Sequence, residues 1–316
     1  MDTIYVTQER CTIRREGEHI KVTRLGETLN TVPIHGLKTL VLFDSVQLTT
    51  QALNMLLGNG IDIIYMSKAG KLKGRILAAK GGGAILRLAQ YSAFLNVNTR
   101  LGIAKSIVTT KINNQASIIK KYKYHDTNSQ FNNHLLELQK YTELVDTANT
   151  IEEIMGVEGI SARYYWYCFR HLLKNPVFKR REYRPSPDYV NALLNMGYAF
   201  LAIEISTCLI AQHFDSEIGF LHSIRYGRNS LALDLMEGFR PIFVDAWILS
   251  LVNKKQIRPE HFCIVNGDYR LSDEGFHKFC TLYHERVPNW RGKFHEQTER
   301  LKIALLKGGR YEPYCE

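Results

Sequence analysis

The sequence predicts an α+β protein: a small N-terminal β-sandwich-like domain followed by a larger all-helical C-terminal domain. Three observations predict it. Short β-prone runs at turn spacing fill the first 80 residues, the triplet Gly81-Gly82-Gly83 interrupts them, and from Ile85 onward apolar residues recur at helical spacing almost to the end. A chain of 316 residues is about twice the usual single-domain length. The expected division is a β-rich domain over 1–80, a hinge over 81–84 and a helical domain over 85–316.

Each element has a local reason. Ile4-Tyr5-Val6, Cys11-Thr12-Ile13, His19-Ile20-Lys21-Val22, Thr31-Val32-Pro33-Ile34 and Lys38 to Phe43 read as strands, with Glu16-Gly17-Glu18 as a hairpin turn. Thr49 or Thr50 caps a short helix whose apolar stripe is Ala52, Leu53, Leu56 and Leu57, and Gly58 or Gly60 ends it. Ile61 to Met66 is a further strand, followed by a Lys/Gly-rich hairpin near Gly70. The glycine triplet could cradle a phosphate, but a hinge is the simpler role where the periodicity changes.

One long helix is expected from Ile85 past Lys105. Thr150 and Glu153 form a capping box that opens a helix through about Phe169. Pro185 and Pro187 precede a helix from about Asp188 to Gln212, another pattern runs from Ser230 to Arg240, and Pro241 opens the next helix at its first position. A hairpin around Asn266-Gly267 and helices over about 273–285 and 295–306 complete the chain. No repeat or low-complexity tract is present.

Composition excludes some classes. With 45% hydrophobic and 23% charged residues, the chain is neither disordered nor fibrous in character. No run of roughly eighteen apolar residues suggests a membrane span, and the first residues lack the pattern of a secretory signal. The six cysteines form no CxxC, so zinc-finger spacing is absent and reduced thiols in a prokaryotic cytoplasm are expected.

The charge is unevenly placed. The net charge is +10, yet no acidic residue occurs between Asp62 and Asp126, and those 63 positions carry twelve basic ones. A second cluster is Lys174, Lys179, Arg180, Arg181 and Arg184, broken only by Glu182. Solvated helices usually mix signs, so the acid-free run points to a surface that grips phosphates. The residues expected to do so are Lys68, Lys71, Lys73, Arg75, Lys105, Lys111, Lys120, Lys121, Lys123, Lys179, Arg180, Arg181 and Arg184. Tyr91, Tyr122 and Tyr124 could stack on unpaired bases, although ordinary half-buried packing explains such tyrosines as well.

Familiar catalytic signatures are missing: there is no GxSxG, GxxxxGK or HExxH. What remains is a set of acids among apolar neighbours. Glu158 lies about two turns into its helix between Gly156 and Gly159, too deep to serve the helix N-terminus. Asp234 and Glu237 share a helix face at i,i+3, and His222 follows Gly219-Phe220-Leu221 in the loop before them. Each has an ordinary structural role open to it. Glu158 could be a salt-bridged glutamate, Asp234 a partner of Arg240 or Arg225, and His222 a hydrogen-bonded core histidine. Together, two carboxylates and an imidazole suit Mg²⁺ or Mn²⁺, and such an ion beside a basic surface fits phosphoryl transfer on nucleic acid.

Four segments carry a resemblance: Ile154–Tyr165 (IMGVEGISARYY), Arg184–Leu201 (RPSPDYVNALLNMGYAFL), Gly219–His222 (GFLH) and Leu233–Pro241 (LDLMEGFRP). In this order they resemble the CRISPR-associated spacer-acquisition integrases, the Cas one family, over nearly the whole chain. The resemblance implies a homodimer built largely through the N-terminal domains and a small partner of the Cas two family. It implies metal ligands at Glu158, His222 and Glu237, with Asp234 as a nearby alternative. Tyr165 and Asn191 would be candidates for positioning a phosphate or water. The implied activity is metal-dependent endonuclease and integrase chemistry of CRISPR adaptation on double-stranded and branched DNA, inserting short fragments into the array by transesterification. A structure-specific nuclease of DNA repair and a non-catalytic nucleic-acid scaffold are the other classes.

Overall fold

The computed structural model describes residues 3–43, 45–67, 72–79, 83–122, 130–174 and 178–316, in two compact units, Met1–Gly82 and Gly83–Glu316. Lys68, Lys71, Lys80, Lys123 and Tyr124, the hairpin near Gly70 and the glycines at 81 and 82 lie outside the described residues.

The first unit holds β1 (Thr3–Val6), β2 (Cys11–Glu16), β3 (His19–Arg24), β4 (Glu27–Pro33), β5 (Thr39–Phe43), β6 (Gln47–Leu48), α1 (Thr50–Gly58), β7 (Asp62–Met66) and β8 (Leu72–Ile76). One sheet has the order β4-β3-β2-β6 and the other β1-β5-β7-β8. A single core joins them, with Cys11, Ile13, Ile20 and Val22 from one sheet, Val6, Leu40, Leu42 and Ile63 from the other, and Ala52, Met55 and Leu56 from α1. The β3–β4 turn puts Leu25 and Gly26 at positive φ, the backbone of a type I′ hairpin. The β1·β5 and β5·β7 pairs are parallel. Local alternation does not reveal this, because parallel pairing needs a crossover, here α1 between β5 and β7.

The second unit is helical. Its elements are α2 (Ala84–Leu95), α3 (Val97–Tyr122), α4 (Gln130–Thr147), α5 (Ile151–Leu172), α6 (Tyr189–Ala211), α7 (Ser230–Met236), α8 (Ala246–Asn253), the hairpin β9 (Phe262–Val265) and β10 (Asp268–Leu271), α9 (Asp273–Arg286) and α10 (Pro288–Lys307). The single helix expected from Ile85 past Lys105 is two. Asn96 leaves helical geometry at ψ 110°, and its Oδ1 accepts the Thr99 N–H at 2.9 Å, which restarts the chain as α3. Gly83 caps α2 at φ 85°, and a β-carbon there would fall 2.3 Å from His213 Cβ. Close packing therefore accounts for this glycine.

The capping box of α5 is present in a shifted form: Thr150 Oγ1 accepts the Glu153 N–H, while Glu153 Oε2 accepts from Asn149 rather than Thr150. Between α7 and α8 the chain does not start a fresh α-helix at Pro241 but runs as a π-helical segment, Arg240–Asp245. Proline has no N–H to donate, and such widened turns recur at functional sites. Helix α6 is long and apolar enough to cross a membrane by length and composition, but two-thirds of its most apolar window is buried inside the protein. It is the central core helix.

Asp245 ties three of these elements together. Tyr165 of α5 donates to its Oδ2 at 2.9 Å, and Tyr198 of α6 donates to its Oδ1 at 2.5 Å. Burial pushes the Asp245 carboxyl up to about 6, against the lowering effect of the two tyrosines, Arg181 and Arg240. The folded chain thus keeps this proton up to about pH 6, whereas an unfolded aspartate releases it near pH 4. Folding takes up a proton in that window, so this group's contribution to stability falls as pH rises from about 4 to 6. Asp245→Asn should remove that slope. Compared with the parent by chemical denaturation at several pH values, the variant should gain relative stability between pH 4.5 and 7 by up to roughly 3 kcal/mol. A constant difference would mean that Asp245 ionises normally.

Candidate metal centre

Helix α3 carries the key side chain. Its residues Ala104, Val108, Ile112, Ala116 and Ile119 are buried, and so are the polar Ser106, Thr110, Lys111, Asn114 and Gln115. A helix polar inside as well as outside has partners to satisfy. Asn114 Nδ2 donates to the Gly238 carbonyl at 2.8 Å, fixing the end of α7 where Glu237 stands. One turn earlier, Lys111 Nζ bonds Glu158 Oε1 of α5 and lies 2.5 Å from Glu237 Oε2. The structure thus brings Glu158 and Glu237, 79 positions apart in the chain, onto one ammonium. Arg240 adds a contact at 3.2 Å to the other oxygen of Glu237, and its guanidinium lies 4.7 Å over the Tyr198 ring.

The electrostatics follow. Burial alone would push the Glu237 carboxyl up, but Arg240, Lys111 and His222 together hold it down at about 2. Burial likewise works against the charge on Lys111, and Glu237 and Glu158 overcome it, so the ammonium is raised above its ordinary value. Glu237 is therefore a carboxylate at neutral pH, and Lys111 is charged.

His222 is placed by Asp234. Asp234 is fully buried. Its Oδ2 accepts the backbone N–H groups of Phe220 and Leu221 at 2.5 and 2.9 Å, and its Oδ1 accepts the N–H of His222 at 2.9 Å. The same Oδ1 lies 2.6 Å from His222 Nδ1. With Nδ1 facing a carboxylate, that nitrogen is the donor, and Nε2 is the nitrogen left for another partner. Gly219 permits the close approach: a β-carbon there would lie 2.7 Å from Asp234 Oδ2 and 2.9 Å from Ser230 Cβ. Asp234 therefore pairs with neither Arg240 nor Arg225. It is an orienting carboxylate behind the histidine, the arrangement that typically supports a metal-bound imidazole, and its oxygens are taken.

The residues suit a divalent cation. Glu237 Oε2 is buried with only the Lys111 ammonium against it, at 2.5 Å, and a buried carboxylate oxygen held by a cation alone is the donor a hard metal ion takes. Among the described residues no three Asp, Glu, His or Cys side chains stand ready as a metal-binding group; the position between the two glutamates is filled by Lys111. No β-carbon at Gly156 or Gly159 would meet an atom within 4 Å, so the flanks of Glu158 are open.

Other expected residues lie elsewhere. Tyr165 is fully buried with its hydroxyl on Asp245, so it packs the core and cannot touch a substrate. Asn191 is also fully buried. Its Oδ1 accepts from Glu182 and Arg181, and its Nδ2 donates to the Arg180 carbonyl and Asp188, which pins the loop before α6. Arg181 is spent there too, donating to Asn195 at 2.5 Å.

Lys111 is 8% exposed and forms no gripping surface. Arg75 is half-buried; burial pulls its guanidinium down while Asp62 raises it. Lys105 donates to the Asp146 carbonyl at 2.7 Å. Lys73, Lys120, Lys121, Lys179, Arg180 and Arg184 are exposed. Of the tyrosines, Tyr91 hydrogen-bonds Asp215 at 2.8 Å, and Tyr122 is half-buried. Sequence reasoning missed the roles of Lys111 and Gly219. A charged residue in helical register with Ala104, Val108 and Ile118 was the available signal for Lys111.

Residues 4–285 match the family model described as CRISPR associated protein Cas1. A CRISPR-associated endonuclease Cas1 of Thermus thermophilus is 30% identical over 306 residues, 96% of this chain and 87% of that protein. Among solved structures, a Cas1 protein from Thermotoga maritima superposes with TM-score 0.87 at 24% identity, over 98% of this chain and 99% of that one. A casposase bound to its integration product superposes with TM-score 0.86 at 21% identity, covering 99% and 93%. A Cas6-RT-Cas1–Cas2 complex contains a chain matching with TM-score 0.87 at 22% identity, over 99% of this chain and 36% of that one. At these identities the structures speak for the fold; the family model and the Thermus relative establish that the chain belongs to the Cas1 family of CRISPR-associated proteins.

Proposed function

We propose that the chain is a metal-dependent DNA integrase and endonuclease of CRISPR adaptation. The observation that carries this is the meeting of Glu158 and Glu237 at one cation, with a histidine held through Nδ1 by Asp234 close enough to act on Glu237. Glu158, His222 and Glu237 would hold Mg²⁺ or Mn²⁺. Such an ion, when bound, would polarise a phosphodiester and stabilise the leaving oxygen.

The chain's own residues supply the rest. Asp234 accepts from His222 Nδ1 and so holds the ring in one orientation. Arg240 keeps Glu237 ionised and in place. Exposed Lys120, Lys121, Lys179, Arg180 and Arg184 would hold phosphates without reading bases. In the proposed reaction the 3′-oxygen of a short DNA fragment attacks a phosphorus of the array. One P–O bond forms, another breaks, and the displaced strand leaves with a free 3′-hydroxyl. With water as nucleophile the same site hydrolyses DNA, the activity in the name of the Thermus relative. The casposase caught with its integration product and the chain found together with Cas2 support strand joining and a Cas two partner; double-stranded and branched DNA as substrate is proposed on the family resemblance. A homodimer is proposed on the family resemblance.

Three outcomes are expected. Glu158→Gln, His222→Ala and Glu237→Gln should each lower strand joining and cleavage by about 100-fold or more, assayed with short duplexes and a repeat-containing plasmid, with and without the small partner. Unchanged activity would remove these residues from the site, a parent chain with no activity would return it to the scaffold class, and joining that never occurs beside intact cleavage would favour the repair nuclease. Gly219→Ala should act at a distance: its β-carbon would push on Asp234, costing about 1–3 kcal/mol and lowering activity while Glu158, Glu237 and His222 remain. Thermal melting and turnover measured together would show both effects. Reversing Lys120 and Lys121 to Glu should weaken DNA binding and flatten the plot of log affinity against log salt by about one unit per lost phosphate contact. An unaltered slope would make them a solvated helix end.

A further inference from the structure

We propose that Lys111 is the resident counter-cation of the metal-free site, and that a divalent ion must displace its ammonium in order to engage Glu158 and Glu237 together. The inference rests on reading these residues as a metal site and adds the residue that sets its affinity.

Two carboxylates brought together, Glu237 buried and Glu158 half-buried, repel each other unless a cation stands between them. Lys111 is that cation, in contact with both. With Arg240 on the other oxygen of Glu237, two negative charges already face two positive ones. A dication added with Lys111 in place would leave two positive charges in excess at a site where Glu237 is 4% and Lys111 8% exposed. It would also need the position that the ammonium fills.

Arg240 is not the group to move. It reaches Glu237 Oε1, the oxygen Lys111 does not contact, and the Tyr198 ring lies beneath it. The Lys111 ammonium is held by the two carboxylates on a flexible four-carbon stem. Once displaced it stays within a side-chain length of the carboxylates. The price of this device is weaker metal binding; in return, the apo protein keeps its two glutamates paired and folded.

The probe is Mn²⁺ alone, titrated calorimetrically into the full chain and into Lys111→Met, which keeps the side-chain volume and removes the charge. Lys111→Met should bind Mn²⁺ about tenfold or more tightly, as the competing cation is gone, and should melt earlier than the parent in EDTA. Equal or weaker Mn²⁺ affinity overturns the inference. Should Lys111→Met fail to fold, the unmodified chain decides: reductive methylation of Lys111, followed by mass spectrometry, should be slow in EDTA and faster with Mn²⁺, and equal rates overturn it. Glu158→Gln separates the two levels. If the parent binds no Mn²⁺, or Glu158→Gln binds it as well as the parent, the metal site itself is wrong and the inference falls with it. If the parent binds through Glu158 and Lys111→Met is indifferent, only displacement fails.

Discussion

The contact of one buried lysine ammonium with two glutamates, Glu237 buried and Glu158 half-buried, organises the helical unit. Lys111 comes from α3, Glu158 from α5 and Glu237 from the end of α7. Without the ammonium the carboxylates would repel; without the carboxylates Lys111 would not stay charged where it is buried. The three helices are thereby held by electrostatics at the place where the chemistry is proposed. Surrounding groups serve that arrangement: Asn114 fixes the carbonyl of Gly238, and Arg240 sits between Glu237 and the Tyr198 ring.

The histidine is built on separate support. Asp234 gathers three successive backbone N–H groups and the His222 ring, so the loop before α7 closes on a buried carboxylate. Gly219 is needed because any side chain would occupy the space of that carboxylate. Asp234 and Glu237 are three residues apart, yet they do different work. Asp234 faces the loop and is saturated with donors, while Glu237 stands just past the end of α7 and meets only the cations Lys111 and Arg240.

The charge pattern illustrates how much a sequence pattern can mislead about surfaces. An acid-free run looks like a gripping face. In the structure its members divide among exposed positions such as Lys120 and Lys121, the half-buried Arg75, and Lys111 in the core. The helix α3 lacks acids in part because its interior partners, Glu158 and Glu237, come from other helices. Likewise Tyr165 and Asn191 belong to motifs that mark the family, but their polar atoms are consumed by Asp245 and by the loop before α6. A motif can specify packing as strictly as chemistry.

By itself the sequence determined what depends on neighbours along the chain. It set the change from strand to helix periodicity near the glycine triplet, the caps at Thr49, Thr150 and Asp188, the Asn266-Gly267 turn, and the motif residues that point to Cas1. These follow from spacing and local hydrogen bonding, which act over a few residues. Only the tertiary structure decided the parallel pairing of β1, β5 and β7, the break at Asn96, the orienting role of Asp234 and the burial of Lys111 between two glutamates. Each of these turns on which groups meet across tens of residues and how much water is left between them, and neither quantity is written in local spacing.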